Sequence, residues 1–132
     1  MADIHSVLTA IAADTSLSEW NPVVSYLPEY ELKDTKTAKC CVVPSGIAYR
    51  NLSRSNVQKN FTVEIGFLKS GKSLDVLSFV TQLETLSVHF MEKTYGDARV
   101  VAVDHEPLFD ADQLRTKNLF QCVIVLHLTE VK

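Results

Sequence analysis

Residues 74–95 constrain the fold more than any other stretch of the chain. Val76, Phe79, Leu83, Leu86 and Phe90 recur at alternating steps of three and four, which places them on one face of a helix. Leu77 and Val80 are expected to widen that face. Asp75, Ser78, Gln82, Thr85, His89 and Glu92 follow the same steps on the opposite side. A helix divided in this way must lay its stripe on an apolar surface. Burying six such side chains is worth on the order of 10 kcal/mol before ordering entropy is subtracted. Ser73 is the expected N-cap, and Gly96 stands where a left-handed C-cap belongs.

The rest of the chain supplies that surface as strands. Asp3 can cap a short first helix whose stripe is Ile4, Val7, Leu8, Ile11 and Ala12. Residues 15–22 are polar and turn-prone, with Trp20 as an anchor. Val23, Val24, Tyr26 and Leu27 give a strand signal that Pro28 interrupts, so this strand is at an edge or bulged. Residues 38–43 read as a strand apolar on both faces and closed by Pro44. In residues 60–69, Phe61, Val63, Ile65 and Phe67 alternate with Thr62, Glu64 and Gly66, the period of a half-buried strand. Residues 99–104 and 119–128 are two further strands, the last being the most hydrophobic in the chain. Between them, Pro107, Leu108 and Phe109 form an expected packing plug. The order α-β-β-β-α-β-β lacks βαβ alternation. It argues one α+β domain over residues 1–132, with a largely antiparallel sheet of about five strands and both helices on one face.

Composition excludes several classes of function. A net charge of −3 argues against a dedicated nucleic-acid surface. No apolar run approaches the roughly 20 residues of a membrane span, and the first residues carry no basic stretch, so no signal peptide is expected. Cys40, Cys41 and Cys122 are odd in number, which points to free thiols and a reducing compartment. With His127 they could be drawn as a zinc site. Adjacent strand residues point to opposite faces, however, so Cys40 and Cys41 cannot both reach one ion easily. His5, His89 and His105 are isolated and expected to be solvated. Asp104, Glu106, Asp110 and Asp112 could hold a cation or act in acid–base work but lack calcium-loop spacing, so a solvated loop is expected. Residues 66–73 match G-x-x-x-x-G-K-S, the letters of a phosphate loop. The match starts inside the alternation of a strand, and the chain is too short for the usual parallel nucleotide-binding core. A chance match is expected, with a small nucleotide-binding protein as the rival reading. No cofactor, metal or catalytic residue is assigned.

Residues 45–58 stand apart. They are long for a hairpin connection and read as an extended hairpin excursion. Tyr49, Arg50, Asn51, Leu52, Arg54 and Val57 are spread through them. Tyrosine and arginine are favoured at protein interfaces, so these six are the candidate interaction residues; a solvent-facing hairpin tip is the other reading, and both can hold together.

The order of parts resembles the tail terminator and tail-completion proteins of long-tailed bacteriophages. The resemblance rests on a strand ending Val42-Val43-Pro44, the excursion with Arg50 and Arg54, the run Phe61-Thr62-Val63-Glu64-Ile65-Gly66 before a long helix, Pro107-Leu108-Phe109-Asp110, and a closing strand over residues 120–128. It implies a virion structural protein without catalysis, assembled in the host cytoplasm as a homo-hexameric ring at the neck. Such a ring caps the tail tube and joins it to the head. Its partners would be copies of itself, the tail tube protein and a head-proximal connector protein, with DNA passing through and no membrane contact. Head–tail connector ring proteins of similar size share much of this pattern.

Overall fold

In a computed structural model, which describes residues 3–20, 22–24, 39–54, 56–70, 76–91, 93–105 and 119–131, Asp3 caps the first helix, α1 (Ile4–Ala12). Its carboxylate accepts from the Ser6 backbone N–H at 2.7 Å, satisfying one of the orphan donors of the first turn. Val7, Leu8 and Ile11 are buried, as the stripe predicts. A short 3-10 helix (Thr15–Trp20) follows. It sets the fully buried Trp20 edge-on to Phe67, with ring centroids 5.0 Å apart.

The strands are β1 (Pro22–Val24), β2 (Lys39–Asn51), β3 (Val57–Ser70), β4 (Thr94–Tyr95), β5 (Ala98–Asp104) and β6 (Leu119–Val131). Among the described residues they form one sheet in the order β1-β2-β3-β6-β5-β4. Every pair is antiparallel except β1 with β2. The fold is α+β, with both helices on one face. Register explains the core. Cys40, Phe67 and Cys122 form one row across β2, β3 and β6, and Val42, Ile65 and Ile124 form the next. Their side chains share a face because the strand period is two. α2 (Val76–Phe90) covers that face with Phe79, Leu83, Leu86 and Phe90, and α1 covers it with Val7, Leu8 and Ile11. Phe79 packs on Phe120 with centroids 4.5 Å apart. The Lys69 ammonium sits 5.6 Å from the Trp20 ring centre and 5.4 Å from that of Phe79, so its stem joins the core while its charge meets two ring faces. On the far face Cys41, Val43 and Leu68 are buried as well, which is why β2 reads as apolar on both sides.

The structure corrects several local expectations. Pro44 does not close β2. The strand runs on to Asn51, and the ladder with β3 shifts register between Pro44 and Gly46. A bulge is a place where a proline without an N–H is tolerated. β1 lies at the edge of the sheet, one of the two expected placements, and its pairing with β2 stops at Val42; Tyr26, Leu27 and Pro28 lie outside the described residues. α2 ends at Phe90, so Gly96 caps no helix. It opens the two-residue turn between β4 and β5 with φ of 62°, a positive value that primed hairpin turns require. Leu77 leaves the core stripe and points to water at 78% exposure. Ser73, Leu74, Asp75, Glu92 and residues 106–118, with the packing plug and the rest of the carboxylate cluster, lie outside the described residues. Among the described residues, no helix is long and apolar enough to cross a membrane.

Candidate assembly interface

The excursion at residues 45–58 is built as a continuation of the ladder. Ile47 pairs with Phe61, Tyr49 with Lys59, Arg50 with Gln58 and Asn51 with Val57. Beyond Asn51 the chain turns: the Leu52 N–H donates to the Asn56 carbonyl at 3.0 Å and the Asn56 N–H to the Ser53 hydroxyl at 3.2 Å. The arm therefore has a fixed register instead of a loop's freedom. Ile47 and Tyr49 fall on the face that carries the core further down the sheet, whereas Ala48 and Arg50 fall on the other. Tyr49 is 66% exposed and Leu52 50%. Arg50, Asn51 and Arg54 are exposed too, and Val57 is half-buried. The six residues picked from sequence thus lie on one arm, spread over both faces and the tip.

Two features of the arm are not visible in the sequence pattern. The Lys59 ammonium lies 5.8 Å from the Tyr49 ring centre, across the strand pair. Toward the tip, the Gln58 amide donates to Asn60 at 3.1 Å and to the Thr129 hydroxyl at 2.9 Å, and Thr129 donates to Asn60 at 2.9 Å. This triangle ties β3 to β6, which pairs with β3 as far as Gln58 and so flanks the arm almost to its turn. Between Lys39 and Glu64 the sequence carries Arg50, Arg54 and Lys59 and no acidic residue. The arm is cationic although the whole chain is acidic.

A second polar cluster holds the frame. The Asp14 carboxylate accepts from the Tyr95 hydroxyl at 2.7 Å, the Ser16 N–H at 3.0 Å, the Ser16 hydroxyl at 2.8 Å and His89 Nε2 at 3.0 Å. An ionised carboxylate only accepts, so the His89 proton on Nε2 points at it. Four donors use the carboxylate's lone-pair sites, which makes this a clamp joining the ends of α1 and α2 to β4. His89 is correspondingly half-buried and bonded, not solvated as its place on the helix suggests. Burial opposes ionisation of Asp14, but the bonds from Tyr95, Ser16 and His89 outweigh it and hold the carboxyl well below the usual carboxylate range. A depressed folded-state pKa contributes stability that is complete above the unfolded value, near 3.8, and fades as pH falls through the folded one. Asp14→Asn is expected to cost about 2–3 kcal/mol at pH 7. It should also flatten the loss of stability between roughly pH 5 and pH 2. Denaturant melts across that range check both effects; parallel pH profiles for variant and wild type would contradict them.

The remaining candidates do not converge. Cys40 and Cys122 face the helices across Phe67, while Cys41 and His127 register on the far face. Burial pushes the Cys122 thiol up to about 12 and raises the Cys40 thiol further, with the neighbouring Cys41 and Cys122 adding to it. Such thiols are inert small hydrophobes. His127 Nε2 donates to Asp104 at 2.8 Å on an exposed stretch of β5 and β6. Gly66 is mid-strand, paired with Cys41 on one side and Val123 on the other. Residues 66–70 are therefore ladder, where a phosphate loop needs backbone N–H groups turned toward the ligand; Lys72 lies outside the described residues. No protein-family model matches this chain, and no curated protein does.

Proposed function

We propose that this chain is a ring-forming structural protein of the neck of a long-tailed bacteriophage, a tail terminator that caps the tail tube and joins tail to head. It acts by surface complementarity and catalyses nothing. The observation that carries the reading is the arm: a stiff, register-locked hairpin that presents Tyr49, Leu52, Arg50 and Arg54 to solvent. Tyrosine and arginine on a rigid support are what protein interfaces use as anchors, because little entropy is lost when they dock. The order of parts, which resembles the phage neck proteins, supplies the kind of assembly. In this reading the subunits form a six-membered ring in the virion, with the tail tube protein on one side, a connector on the other and DNA passing through. The acidic balance of the chain suits a ring that lets DNA pass without gripping it.

Electron microscopy of the purified protein should show closed rings, and the protein should complete tails that lack a terminator. A ring that completes filled heads and leaves such tails unchanged would place it as a head–tail connector instead. A protein that stays monomeric at high concentration would refute the assembly reading. Thermal stabilisation by magnesium with ATP or GTP, lost in Lys72→Ala, would establish the nucleotide-binding rival.

A further inference from the structure

β2 leaves one long side without a neighbour. Its pairing with β1 ends at Val42, and among the described residues no other strand joins it on that side. Residues 45–51 are all exposed. A strand covered on one face would alternate between buried and exposed, so both faces are open here. A Cβ added to Gly46 would meet nothing within 4 Å. The turn fixes which way the backbone groups point. The Leu52 N–H donates across the hairpin to the Asn56 carbonyl at 3.0 Å. Successive strand residues aim their N–H and C=O groups to opposite sides. Arg50, Ala48 and Gly46 therefore bond β3, while Ile47, Tyr49 and Asn51 turn theirs away from it. Such a row is a template for another strand, and natural edges are commonly guarded by proline, bulges or charge. In β2, Pro44 and the bulge guard only the start, and Arg50 is the one charge in residues 45–51.

We infer that this edge is a strand-addition site and that its occupant is an acidic, extended segment of a partner protein. The inference rests on the arm being an interface and adds how the partner is held. Main-chain bonds to Ile47, Tyr49 and Asn51 supply affinity, and the alternation of side chains supplies specificity. The added strand sets its residues in turn beside Ile47 and Tyr49 on one face and beside Ala48 and Arg50 on the other. The first set suits apolar residues, because Ile47 is 38% exposed and Tyr49 66%. The second suits an acid that meets Arg50. Arg54 at the turn adds to the same demand, and so does Lys59, whose ammonium lies 5.8 Å from the Tyr49 ring centre. The same edge of a second copy fits poorly. Residues 40–63 hold no acid, so two such edges would bring cations together with nothing to offset them.

The test mixes the full chain with a synthetic peptide of about eight residues, a usual strand length, that alternates valine and glutamate. Calorimetry should show saturable binding, and hydrogen exchange should slow at the amides of Ile47, Tyr49 and Asn51. A peptide alternating valine and lysine should not bind. Tyr49→Pro removes one outward N–H and no bond of the ladder with β3, so the fold should survive. It should bind the glutamate peptide roughly tenfold more weakly than Tyr49→Ala, which keeps that N–H. These results support the inference. Absent binding, binding that leaves the three amides exchanging freely, or equal binding by Tyr49→Pro and Tyr49→Ala would overturn it. Equal binding of the lysine peptide would overturn the acidic occupant. Slow exchange of the same amides in wild-type dimers without peptide would assign the edge to a second copy, which also overturns it. If Tyr49→Pro unfolds, amide exchange on the wild type decides. Rings that complete tails but ignore the peptide remove this inference and leave the neck reading standing. A chain that binds the peptide at this edge and never forms rings does the reverse.

Discussion

Leu83→Asp is expected to leave the chain unfolded at every temperature above freezing, whereas Thr85→Asp on the same helix keeps a native melt. Leu83 is fully buried at the centre of the stripe that α2 lays on the sheet, among Phe79, Leu86 and Phe90. A carboxylate there stands among apolar side chains, and its protonated form still buries a hydroxyl among them. Either form costs several kcal/mol, to which the lost leucine packing adds about 2–5 kcal/mol. The sum approaches the whole stability of a domain, about 5–15 kcal/mol. Thr85 is exposed and bonds only the Thr81 carbonyl one turn back, at 3.0 Å, so its replacement should stay within about 1 kcal/mol. Circular dichroism with thermal melts reads both variants. Equal stability for the two would mean that the faces of α2 are assigned wrongly.

Cutting the arm should have the opposite signature, an intact fold and no assembly. The ladder pairs Ala48 with Asn60, so Asn-Gly in place of residues 49–59 closes a two-residue hairpin and leaves the register of the rest unchanged. The excised stretch includes all six residues proposed for the interface, and none of them belongs to the buried core. Its loss removes the Gln58 side-chain bonds and the pairing of Gln58 and Lys59 with the end of β6, so a lower melting temperature with the fold retained is expected. Assembly should be abolished at micromolar concentration, and tails lacking a terminator should stay incomplete. Arg50→Glu combined with Arg54→Glu should weaken association roughly 100-fold by reversing the charge that meets an acidic partner. Light scattering reports the oligomer and circular dichroism the fold. An unfolded shortened variant would assign the arm to the core, and one that assembles and completes tails normally would remove it from the interface.

The sequence by itself determined the parts whose information is local. The period-two alternation of Phe61, Val63, Ile65 and Phe67 fixed which face of β3 is buried, and the steps from Phe79 to Phe90 did the same for α2. Asp3 marked a helix start because a cap is a contact across three residues. The cluster of Tyr49, Arg50 and Arg54 marked a surface arm through residue chemistry alone. Tertiary structure decided what depends on distant partners. Pro44 looks like a strand end until β3 supplies a ladder with a bulge beside it. His89 sits on the polar face of its helix, yet it is bonded to Asp14, 75 residues away in the chain. Gly96 suits a helix cap or a hairpin turn equally well, and the pairing of β4 with β5 chose the turn. Leu77 counts as apolar in any periodicity, but periodicity only says which residues share a face. Which face meets the sheet, and which faces water, is set by where the strands lie, because burial is a property of the surrounding elements and not of the helix that carries the side chain.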